Sequence, residues 1–107
     1  MRLELTGSDR IAVRGNIKTT EDYLDIRRRV TDLVAQGRES IHLDVLESLS
    51  MPSAVIGFFV KLVNRDKIRI TMTIHDPRLL ELLDELCLRE IFGARAPVGE
   101  GAASRLD

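Results

Sequence analysis

Cysteine, tryptophan and long apolar runs are what this 107-residue chain lacks most visibly. Its single cysteine, Cys87, excludes an intramolecular disulfide framework and fits a reducing compartment. Aromatic residues make up 4% with no tryptophan, too few for a base-stacking platform. A formal net charge of −1 removes the electrostatic case for direct binding to nucleic acid or anionic lipid. The longest apolar stretch, Ala54 to Val60, is interrupted by Gly57 and falls far short of the ~20 residues a membrane helix needs. The N-terminus, MRLELTGSDR, has neither the apolar region nor the cleavage pattern of a signal peptide. These absences predict a soluble, cytoplasmic protein without membrane insertion.

Hydrophobic residues (44%) and charged residues (31%) stand in the balance of one ordinary globular domain. Arg2–Thr6 and Ile11–Ile17 alternate around a Gly7-Ser8-Asp9 turn, which predicts an N-terminal hairpin. Thr19 or Thr20 then caps a helix whose apolar stripe is Tyr23, Ile26, Val30, Leu33 and Val34, ending at Gly37. Ser40–Leu46 reads as a strand too apolar for a solvent-facing edge. The run from Ser53 to about Asn64 reads as an apolar helix with Ile56, Phe59, Val60 and Val63 toward the core.

Lys67–His75 alternates with period two and reads as a strand. Asp76-Pro77 has the form of an N-cap followed by proline at the first helical position, opening a leucine-rich helix. Phe92–Pro97 is a candidate last strand, and residues 97–107 have the composition of a flexible polar tail. The order β-β-α-β-α-β-α, with one further short strand, predicts an α/β fold with a mixed four- to five-stranded sheet.

Catalytic constellations are missing. His42 and His75 lie in or at the end of strands without partners at metal-ligand spacing, and read as partly exposed strand histidines. Cys87 reads as a small packing residue in an apolar turn. No glycine-rich phosphate loop follows any strand. Asp44, near the end of a central strand, raised the comparison with a response-regulator receiver, but Thr6-Gly7-Ser8 lacks the acidic pair such a domain needs. A non-enzymatic domain without metal or cofactor is the expectation.

The most informative segment is LDVLESLSMPSAVIGFFVKLV, from Leu43 to Val63. Ser53 stands where a buried strand and a short loop give way to an apolar helix, and on local grounds it reads as the N-cap. The helix is apolar nearly all round, because Val55, Phe58 and Leu62 lie off the expected stripe. Such a helix is either wholly buried or covered by a partner.

This strand–loop–serine–helix arrangement resembles the STAS domain, the fold of bacterial anti-sigma factor antagonists. Asp44-Val45 matches the family's strand pair, and Pro52-Ser53-Ala54-Val55-Ile56-Gly57 falls on its Asp-Ser-Ser/Thr-Gly-Leu-Gly motif. Downstream, Asp76-Pro77 and LLELLDELCLREIF are similar to its Ser-Pro, amphipathic helix and closing Gly-Leu-x-x-Ile/Phe. There Leu88 and Ile91 take the apolar positions and Cys87 the glycine.

The resemblance implies a STAS-like domain over residues 1–96, helices mainly on one face of the sheet, and a C-terminal helix that is short or missing. It implies partner switching through phosphorylation of Ser53. The partners would be an anti-sigma factor or serine kinase of the histidine-kinase-like ATPase fold and a serine phosphatase, with a homodimer left open. Pro52, Ser53, Ala54, Val55, Ile56 and Phe58 are the partner-binding candidates. Pro52 stands where the family has aspartate, Ala54 where it has a second hydroxyl residue, and Val55 where it has glycine. An apolar residue at Val55 is closer to the scaffold-type STAS proteins, so the alternative is a constitutive assembly subunit in which Ser53 only caps.

Overall fold

The computed structural model describes residues 1–97. Alternating apolar and polar residues in the first fourteen positions form a hairpin of β1 (Arg2–Gly7) and β2 (Arg10–Arg14), with an irregularity between Leu5 and Gly7. The chain then winds through α1 (Thr20–Ala35), β3 (Ser40–Val45), α2 (Ser53–Asn64), β4 (Arg69–Ile74), α3 (Pro77–Glu85) and β5 (Ala94–Arg95). The sheet order is β1-β2-β3-β4-β5; β1 is antiparallel to β2 and every other pair is parallel. The protein is therefore α/β, with a five-stranded mixed sheet and three helices among the described residues. The expected polar tail and the question of a C-terminal helix fall beyond Pro97, outside those residues.

Helix α1 starts where its capping chemistry is complete. Thr19, rather than Thr20, is the N-cap: its Oγ1 accepts the Asp22 N–H at 3.0 Å, and Asp22 Oδ2 accepts the Thr19 N–H at 3.1 Å. The N–H of Lys18 above all holds the Asp22 carboxyl below its ordinary value; burial opposes it, and the Thr19 N–H adds to the lowering. The stripe Ile26, Val30 and Leu33 is buried, with Tyr23 and Val34 packed at its margins. Gln36 is the C-cap, and Gly37 follows in the left-handed region (φ 93°). There the N–H groups of Gly37 and Arg38 reach the carbonyls of Val34 and Leu33.

Parallel strands added in chain order through right-handed crossovers place all the helices on one face of the sheet. Burial follows that geometry. Ile41, Leu43 and Val45 of β3 and Ile70, Met72 and Ile74 of β4 are buried, whereas the alternating His42, Asp44, Thr71 and Thr73 are only partly so. β3 is the central strand, as its apolar content requires. One continuous core joins the helix side of the sheet to Phe59, Leu79, Leu83 and Phe92.

Two sequence expectations are corrected in this layer. The buried face of α2 is Val55, Phe59 and Leu62, while Ile56, Val60 and Val63 are half-buried. Its apolar arc is turned by about one residue from the expected one, because a helix apolar nearly all round has its orientation set by neighbours and not by its own pattern. The alternation to Ile17 also overextends β2, which ends at Arg14; Ile17 is nonetheless buried in the loop that leads to α1.

Candidate functional site

At the carboxyl ends of β2 and β3, two loops are tied together and present the first turn of α2. The β3–α2 loop is fixed by side chains. Ser48 is fully buried; its Oγ accepts the Ile17 N–H at 3.0 Å and donates to the Ser50 carbonyl at 2.7 Å. Asn16 Oδ1 accepts the Leu49 N–H at 2.9 Å, and a Glu47 carboxylate oxygen accepts the Gly15 N–H at 2.6 Å. Met51, buried, anchors the last part of the loop in the core. The carboxyl edge of a parallel sheet is where α/β folds ordinarily place their working groups.

Ser53 is the first residue of α2, not its cap. The cap is Pro52 (φ −59°, ψ 152°), whose carbonyl accepts the N–H groups of Val55 and Ile56 at 3.0 Å each. Proline has no side-chain oxygen, so no side chain caps this helix, and no acidic residue stands in its first turn. The Ser53 hydroxyl is exposed beside N–H groups at the positive end of the helix.

The six partner-binding candidates do not share one surface. Ser53 and Ala54 are exposed, and Pro52, Ile56 and Phe58 are half-buried; Val55 is 0% exposed and belongs to the core, which withdraws it from any docking face. Two exposed residues that sequence reasoning did not select stand four positions before and four after Ser53. Leu49, 43% exposed, projects from the tethered loop. Gly57 is exposed, and a Cβ there would meet nothing within 4 Å. A mid-helix glycine costs about 1 kcal/mol relative to alanine, and packing among the described residues offers no reason for it.

Phe58 continues the surface toward α1. Its ring meets Tyr23 edge-on (centroids 6.4 Å, 81°) at the end of a groove of about 260 Å³ between α1 and α2. Val34 and Leu62 line that groove with Arg27 and Lys61. The neighbouring Phe59 points inward, against Phe92.

The soft and imidazole side chains lie apart from this region. His75 is exposed at the end of β4. His42 is partly exposed, as its strand position suggested, and sits in a hydrogen-bond network on the far face of the sheet. Among the described residues no group of three His, Cys, Asp or Glu side chains is placed to hold a metal ion, and no helix is long and apolar enough to cross a membrane.

Cys87 is corrected from a packing residue to an exposed one with positive φ (60°), immediately after the C-cap of α3. The Cys87 and Leu88 N–H groups bond the Asp84 and Leu83 carbonyls, the same close that Gly37 gives α1. Glycine takes this conformation without the strain a Cβ imposes. Cys87→Gly is therefore expected to raise folding stability by about 1 kcal/mol, read as a higher urea midpoint at unchanged slope. A lowered midpoint would contradict the assignment.

No family model, curated protein or solved structure matches this chain.

Proposed function

We propose that this protein is a regulatory binding domain of the STAS type, which exchanges partners when Ser53 is phosphorylated. The observation that carries the reading is the first turn of α2: an exposed serine hydroxyl at a helix start with no side-chain cap and no carboxylate. A phosphoryl group there adds about −1.5 to −2 charges at pH 7. The helix dipole and the free N–H groups favour that charge, so the fold tolerates the modification. A partner seated on Leu49, Ala54, Gly57 and Phe58 would instead have to bury it. Desolvating such a charge without a counter-charge costs several kcal/mol, enough to release a bound protein. The apolar surface beside an otherwise unexplained Gly57 supports a partner that approaches the helix backbone closely.

In this reading the partners are a serine kinase or anti-sigma factor of the histidine-kinase-like ATPase fold and a phosphatase that reverses the modification, acting in the cytoplasm. The test is intact-mass and peptide mapping of the protein isolated from its own cells. A singly phosphorylated form that disappears in Ser53→Ala is expected. Ser53→Asp should weaken binding to the co-purifying partner by roughly tenfold or more while Ser53→Ala does not. Phosphate found only on another residue would refute the switch.

A second reading, a constitutive scaffold subunit, is favoured by Pro52, which removes the carboxylate that precedes the acceptor in the family. A stoichiometric partner indifferent to Ser53→Asp would decide for it.

A further inference from the structure

The face of the sheet opposite the helices is polar, and among the described residues no element covers it, although parallel strands β2 to β5 make up most of it. Parallel sheets are ordinarily covered on both faces. Here the register assembles a surplus of positive charge on that side. One cross-strand row runs Glu4, Ala12, Asp44, Thr73, Arg95; the next runs Arg10, His42, Thr71. Arg2 pairs with Arg14 beyond the first row, and Ser40 with Arg69 beyond the second. The face thus carries five arginines against two carboxylates, a surplus of three positive charges on a chain whose formal net charge is −1.

Both carboxylates are already engaged. Arg14 Nε donates to Glu4 at 2.6 Å and Arg10 Nη2 to Asp44 at 3.2 Å. Among the described residues no carboxylate lies within ion-pair distance of Arg2, Arg69 or Arg95, all of which are exposed. The centre of the face is held in place. His42 is 14% exposed; its Nδ1 lies 2.7 Å from Thr71 Oγ1, and its Nε2 lies 3.0 Å from Thr73 Oγ1 and 3.1 Å from Asp44 Oδ1. Because a carboxylate only accepts, Nε2 carries a proton toward Asp44. Side chains fixed before docking lose little conformational freedom when a partner arrives.

We infer that the open sheet face is a second docking surface, for an acidic protein segment laid across the strands, with Arg2, Arg69 and Arg95 as its cationic contacts. A complementary potential of this kind steers association and fixes orientation. A nucleic-acid strand fits the face poorly. Glu4 and Asp44 stand in its middle row, against the phosphates, and it presents no phenylalanine or tyrosine ring: Tyr23, Phe58, Phe59 and Phe92 all belong to the helix side. The inference is independent of Ser53, which lies on α2 across the sheet.

The test uses the full chain, isotope-labelled for amide NMR, titrated at low salt with a synthetic peptide of alternating glutamate and threonine. Shifts are expected at Arg10, His42, Thr71, Thr73 and Arg95, with binding about tenfold weaker in the Arg69→Ser/Arg95→Ser double variant. Ser53→Asp should leave this binding unchanged. Absence of binding, shifts confined to the helices, or a double variant that binds equally well would overturn the inference. So would an oligothymidylate of the same length binding the same residues more tightly than the peptide.

Discussion

Phe59→Ala is expected to remove about 3–5 kcal/mol of folding stability, the cost of an aromatic deletion in a core that cannot collapse around the gap. Phe59 is 0% exposed and packs its ring against Phe92 at 6.1 Å between centroids, with Phe58 at 5.3 Å on its other flank. It therefore joins α2 to the turn that delivers β5, and an alanine there leaves both without their shared neighbour. A domain of this size is stable by roughly 5–15 kcal/mol in all, so the variant should lose a large share of its margin. The melting temperature should fall by well over about 10 °C, at about 4–8 °C per kcal/mol. Urea unfolding followed by circular dichroism measures the loss. The same experiment checks the orientation of the helix: Leu62→Ala should cost more than Val63→Ala, the reverse of what the sequence pattern alone would order. A Phe59→Ala loss below about 1 kcal/mol would mean the ring is not buried as described.

Ser48→Ala should be nearly as informative, because it deletes a hydroxyl with two obligations. Without it the buried Ile17 N–H is left without an acceptor and the Ser50 carbonyl loses its donor, at a cost of about 1–3 kcal/mol. The damage is local as well as global. The bond from Ile17 ties the β2–α1 loop to the segment that presents Pro52 and Ser53, so the amide of Ile17 should exchange with solvent much faster in the variant. Hydrogen exchange resolved by residue separates this from a general loss of stability, in which amides of β3 and β4 would accelerate equally. Unchanged protection at Ile17 would show that the loop does not depend on Ser48.

The parts of this fold that the sequence foretold are those governed by local chemistry. The hairpin, the capped start of α1, the alternation in β4 and the Asp76-Pro77 start of α3 each depend on residues within a few positions of one another. The misread parts depend on distant ones. Nothing local distinguishes Val55 and Leu62 from Ile56 and Val63; the sheet and α1 make that choice. Its hydroxyl oxygen makes Ser53 the local candidate for the cap, yet the chain enters the helix one residue earlier, through Pro52. His42 finds Thr71 and Thr73 about thirty positions away, across a parallel register that the sequence does not display. The surface at Leu49 and Gly57 was equally hidden, since an exposed leucine and a lone glycine acquire meaning only beside Ser53. The positive surplus of the open face needs the register too, because the chain as a whole is nearly neutral.

The strand order has one more consequence. Each strand lies against the one synthesised just before it, from β1 through to β5. No later strand has to be inserted between two earlier ones. As the chain leaves the ribosome, each strand after the first emerges with one of its neighbours already synthesised. Partners in β2–β3 and β3–β4 stand about thirty positions apart, one helical crossover and no more, so no intervening strand lengthens the loops that folding has to close.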